Sequence, residues 1–100
     1  MAEHATVIRV SRFQAAPGKR DEVKALLVGG LAEIRAAEGC FGAQLCTVRE
    51  KQDELAVVSR WASNAALDHY LQHRTANVST FRDTLAVPPE TEHYDTASGT

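Results

Sequence analysis

A chain of 100 residues, 44% hydrophobic and 24% charged, has room for one domain and not for two. Its formal charge of −2 is a mixture of signs with no basic stripe, which argues against nucleic acid as a partner. No apolar run is long enough to span a bilayer, and Met1-Ala2-Glu3-His4-Ala5 lacks the basic-then-apolar order of a signal peptide, so a cytoplasmic chain with no membrane partner is expected.

Thr6 to Phe13 is rich in Val and Ile and reads as a strand. Ile8, Val10 and Arg12 share one face, and Val7, Arg9, Ser11 and Phe13 share the other. Ala16-Pro17-Gly18-Lys19 turns the chain. Arg20 to Glu38 is the clearest helix: Val23, Leu26, Leu27, Gly30, Leu31, Ile34 and Ala37 recur at helical spacing, Asp21 and Glu22 suit its first turn, and Gly39 is placed to end it. Gly29-Gly30 is an anomaly, since each glycine costs about 1 kcal/mol relative to Ala in a helix. Either packing tolerates the pair, or the missing side chains make room for a ligand or a close strand.

Phe41 to Glu50 and Leu55 to Trp61 read as two further strands joined by the polar Lys51-Gln52-Asp53-Glu54. Ser63 or Asn64 can cap a second helix, along which Leu67, Tyr70, Leu71, Arg74, Val78, Phe81 and Leu85 form a stripe. Thr75 could cap a second piece of it, and Val87-Pro88-Pro89 ends it. Glu92 to Thr96 fits a short last strand, followed by a frayed tail at 97–100. Cys40 and Cys46 read as reduced thiols serving as small apolar residues, because two cysteines make no disulfide framework.

The order β-α-β-β-α-β is the split βαβ pattern of an α+β, ferredoxin-like domain with an antiparallel four-stranded sheet. A domain this small buries only roughly 60–65% of its unfolded surface, so pairing with a second copy is expected. Helices on one side of the sheet would leave Ile8, Val10, Cys46 and Val48 as an apolar face for that partner.

Three segments resemble the antibiotic biosynthesis monooxygenase family. They are Arg12-Phe13-Gln14-Ala15-Ala16-Pro17-Gly18-Lys19, Glu38-Gly39-Cys40-Phe41-Gly42, and Trp61 to Leu71 with its Ala65-Ala66-Leu67-Asp68-His69 centre. They occur in the family's order and spacing and cover most of the chain. The resemblance implies a homodimer in which two sheets pack face to face as a barrel with the helices outside. It also implies a cleft in each subunit between helices and sheet. Relatives include cofactor-free oxygenases of polycyclic phenols, quinol oxidases and haem-degrading enzymes. The haem-degrading branch carries an Asn on its first strand, a Trp at the position of Trp61 and a His in the second helix. Ser11 and Leu71 occupy the first and last of these positions here, so only Trp61 fits. The polyketide-oxidising branch places Asn and Tyr where Val57 and Leu67 stand.

Trp61, at the junction of the third strand and the second helix, could stack on a flat aromatic or simply plug the core. Phe13, Leu45 and Val57, on the helix side if the family registers hold, should line one apolar cavity with it. Ser11 and Arg9 could add polar groups to the cleft, whereas Arg82 reads as a solvated charge. His69 and His73 share one helix face. The pair lacks the glutamate of the H-E-x-x-H pattern and an obvious third ligand, so no metal is expected. An imidazole could act as a general base; on an unbroken helix both point mostly away from the core as surface residues, and a break near Thr75 could turn His73 back toward the cleft. The expected activity is a cofactor-independent oxygenation of a small aromatic (phenol, quinol or anthrone-like) by molecular oxygen. His73 or His69 would move the proton and Trp61 would stack. The alternatives are a non-catalytic dimeric binding protein and, less well matched, a haem-degrading monooxygenase.

Overall fold

The computed structural model describes residues 6–74 and 83–97. In β1 (Val7–Gln14) the pleat buries Val7, Ser11 and Phe13 on one face and leaves Ile8, Val10 and Arg12 half-exposed on the other. The turn after it passes through Gly18 at φ +78°. α1 (Arg20–Ala36) buries Val23, Leu27 and Leu31, one turn apart, with Asp21 and Glu22 near its positive end and Arg35 near its negative end. β2 (Cys40–Val48) and β3 (Lys51–Trp61) form a hairpin. α2 (Asn64–His73) starts where the Ser63 side chain accepts a hydrogen bond from the Ala66 N–H at 3.1 Å. β4 (Glu90–Asp95) closes the set. This is the expected ferredoxin-like α+β order.

The sheet runs β2-β3-β1-β4, with every neighbouring pair antiparallel. Both helices pack on one face. Under α1, Phe13, Val23, Leu27, Leu31, Leu55 and Val57 form one core cluster, against which Leu45 packs. Under α2, Val7, Trp61, Leu67 and Tyr70 form a second, and Ile34 touches both. The Arg35 guanidinium ties α1 to β2 by donating to the Ala43 carbonyl through Nε (3.1 Å) and NH2 (3.0 Å). On the open face the register aligns Val10 with Val58 and Glu92, and Ile8 with Arg60 and Tyr94. Arg12 joins β4 there through Glu92 and, at 3.5 Å, Glu90. Its hydrogen bond holds the Glu92 carboxyl below the usual carboxylate range. Among the described residues, no helix is long and apolar enough to cross a membrane.

Several boundaries differ from the sequence reading, each for a local reason. α1 stops at Ala36 rather than Glu38, because Ala37 turns extended and its N–H closes back onto the Ile34 carbonyl. Lys51 to Glu54 is strand rather than connection. The hairpin pairs Val48 with Lys51, so only Arg49 and Glu50 turn, and the polar residues extend β3. Leu85 does not continue the α2 stripe; it sits in an isolated bridge to Ala15. β4 begins at Glu90, two residues early. Thr75, Val78, Phe81 and Arg82 lie outside the described residues, as does the tail at 98–100.

Glycines mark one real constraint and one apparent one. Gly39 sits at φ +83°, and a Cβ there would stand 2.5 Å from the Ala66 Cβ, so the entry into β2 needs glycine twice over. At Gly29 and Gly30 an added Cβ would meet nothing within 4 Å. The pair therefore does not make room for a closely packed strand.

Candidate functional site

The chemistry-bearing side chains of α2 gather at its C-terminal end. His69, Tyr70, His73 and Arg74 face Glu33, Ala36, Ala37 and Glu38 across a pocket of about 320 Å³. Ala36 and Ala37 are small, and α1 ends there, so a gap is left between the ends of the two helices. The volume lies at the lower end of the range that ligand pockets occupy.

Tyr70 is the deep wall. It is only 9% exposed, and its ring lies 5.2 Å from that of Trp61, tilted by 33°. Trp61 is fully buried behind it, with its indole Nε1 donating to Ser59 Oγ at 2.9 Å. Burial pushes the Tyr70 phenol up, and the charge of Glu33 adds to this; Arg74 and Arg9 pull the other way.

His69 and His73 stack with centroids 4.2 Å apart at 27°. His73 Nδ1 lies 2.8 Å from the His69 carbonyl oxygen. A carbonyl can only accept, so Nδ1 carries the proton and Nε2 of the neutral ring is the basic nitrogen. α2 ends at His73, because Arg74 turns extended, which sets this imidazole on the helix's last turn beside the pocket. Both imidazoles are exposed at the pocket's edge. Among the described residues, no three His, Cys, Asp or Glu side chains gather as a metal-binding group.

Of the residues singled out in the sequence, the structure brings His69 and His73 to this pocket and sets Trp61 directly behind its Tyr70 wall. Phe13, Leu45 and Val57 lie in or against the α1 core cluster and do not line it. Ser11 is buried, with Oγ 3.0 Å from Thr91 Oγ1. Arg9 is half-buried on the helix face of β1; its Nε is enclosed and has no hydrogen-bond partner. Burial lowers its affinity for the proton, and the charge of Arg74 lowers it further. Sequence reasoning missed Tyr70, Arg74, Glu33 and Glu38. For Tyr70 and Arg74 the signal was their place beside His69 and His73 at the end of α2, legible only once α1 is known to end opposite.

The antibiotic biosynthesis monooxygenase family matches the chain over residues 6–86. Among curated proteins, none matches. Solved structures do. A protein of unknown function from Nitrosomonas europaea superposes with a TM-score of 0.84 at 17% identity, covering 99% of this chain and 96% of that one. A Mycobacterium tuberculosis protein is 28% identical, with a TM-score of 0.73 over 94% of this chain and 100% of its own. A candidate antibiotic biosynthesis monooxygenase from Deinococcus radiodurans gives 0.83 at 14% identity, over 94% and 95%.

Proposed function

The chain belongs to the antibiotic biosynthesis monooxygenase family, and from that premise we propose that it is a homodimeric, cytoplasmic, cofactor-independent oxygenase of a small phenol-, quinol- or anthrone-like aromatic. The observation that carries this reading is the pocket. It has an aromatic wall, Tyr70 backed by Trp61, and at its edge His73 with Nε2 available as a base. The substrate is its own reductant. His73 takes a phenolic or benzylic proton, and the resulting anion passes an electron to molecular oxygen. The radical pair then combines as a peroxide. For an anthrone-like CH2 the balance is one oxygen atom into a new C=O and the other into water.

The protein's contribution is position, a proton acceptor and an apolar wall. His69 stacks on His73 and holds its ring. In this reading Trp61 supports the substrate through Tyr70. Ser11, Phe13, Leu45 and Val57 lie outside the pocket and act on it only through the core that carries the helices.

One observation favours a second reading, a dimeric binding protein without turnover. Ser11, Val57, Leu67 and Leu71 are not the polar residues that the oxidising and haem-degrading branches carry at those positions. Oxygen uptake by the dialysed chain with anthrone or a naphthohydroquinone separates the two. Uptake above the protein-free rate is expected; saturable binding with no uptake would establish the second reading instead.

A further inference from the structure

Tyr70 belongs to the apolar stripe of α2 with Leu67 and Leu71, and its ring packs against Trp61. A phenylalanine would fill that place as well, so the fold does not account for the hydroxyl. Among the described residues the hydroxyl makes no hydrogen bond, and Arg9 Nε is the one side-chain N or O atom that is both enclosed and unpartnered. The Tyr70 oxygen is therefore not enclosed. Tyr70 is buried and lines the pocket, so the opening its oxygen reaches is the pocket.

This hydroxyl differs from the pocket's other polar groups in depth and in chemistry. Glu33, Glu38, His69, His73 and Arg74 are half-buried or exposed, whereas Tyr70 is buried. The two carboxylates, when ionised, can only accept. His73 spends its Nδ1–H on the His69 carbonyl and presents a bare Nε2. The Tyr70 phenol is a donor that keeps its proton, since burial pushes it up and the Glu33 charge adds to this against Arg74 and Arg9. The site thus combines a donor at its depth with a proton acceptor at its edge.

We propose that the Tyr70 hydroxyl donates a hydrogen bond to the ketone oxygen of an aromatic ligand, which enters oxygen first and keeps its acidic hydrogen at the edge beside His73. The inference rests on the pocket being the aromatic-binding site proposed above, and it narrows the substrate class. A simple phenol carries its oxygen and its acidic hydrogen on one atom, which a donor and a base at different depths do not suit. An anthrone-like ring presents its carbonyl and its acidic CH2 at opposite ends. The donor also selects, because a ligand that brings only an apolar edge leaves the hydroxyl unpaired and cut off from water.

The test uses the full chain with 9-fluorenone and with fluorene, two flat ligands of nearly the same shape that differ in the carbonyl. Fluorenone should bind roughly 2–10-fold more tightly. Infrared difference spectra with ¹³C-labelled carbonyl should show its stretch at lower frequency in the bound state than in an aprotic solvent. Tyr70→Phe should abolish both the preference and the shift without weakening fluorene. His69→Leu and Arg74→Leu remove the pocket's exposed donors and should keep the shift, so they decide the matter even if Tyr70→Phe fails to fold. Equal affinities, an unshifted carbonyl, a shift that survives Tyr70→Phe, or one that vanishes in either leucine variant would overturn the Tyr70 donor and leave the aromatic pocket standing. Failure of both ligands to bind would overturn both.

Discussion

At the scale of single residues, the account depends on which imidazole moves a proton. His73 has a committed Nδ1 and a free Nε2, whereas His69 contributes its carbonyl and one stacked face. His73→Ala should lower turnover roughly 10²–10⁴-fold with the fold intact. His69→Ala should cost much less. Full activity in both variants would make them surface residues. Joint loss reproduced by a chelator would instead indicate a metal site. Tyr70 offers a second check. Burial raises its phenol above 10.0, so the folded state holds that proton when the unfolded chain has begun to lose it. The stability it contributes is therefore complete below the ordinary tyrosine range and is lost as pH rises through the folded value. Phenolate absorbance of the parent minus Tyr70→Phe should show this ionisation late, together with alkaline loss of stability; ionisation at the ordinary value would show that the ring is not enclosed. The two histidines were legible in the sequence from their spacing. Tyr70 was not, because a tyrosine in an apolar stripe reads as core, and only the end of α1 opposite it opens a pocket there.

At the scale of elements, most of the pattern was written locally. The Val23, Leu27 and Leu31 spacing marks α1, and the Ser63 cap marks the start of α2. What was not legible depended on pairing. Lys51 to Glu54 looks like a loop until β2 pairs with it, and Leu85 fits a helical stripe although its actual partner is Ala15, far off in sequence. The glycines give a paired prediction. Gly29→Ala and Gly30→Ala meet open space within α1 and should each stabilise the fold by about 0.5–1 kcal/mol. Gly39→Ala must adopt a positive φ and push against Ala66, and should destabilise by about 2–4 kcal/mol. Urea unfolding of the three variants checks this. A stabilising Gly39→Ala would mean that the turn into β2 is not as described.

At the scale of the whole molecule, the β-α-β-β-α-β order was legible throughout, and so was its one-sided layering. Ile8, Val10, Val58 and Tyr94 lie on the face that neither helix covers. A second copy would bury them, so sedimentation at micromolar concentration should give a dimer. Val58→Asp, which would enclose an unpaired charge, should raise the dissociation constant by more than about 100-fold. A monomeric parent would count against the dimer. The central claim is that this domain oxygenates an aromatic with its own side chains and the substrate's electrons. The most direct measurement is anthrone turnover under ¹⁸O₂ by chelator-treated protein. The account predicts one labelled oxygen in the product carbonyl and the other in water, at a rate well above that without protein. Product formed no faster than in buffer, or activity that returns only on adding a metal or haem, would contradict it.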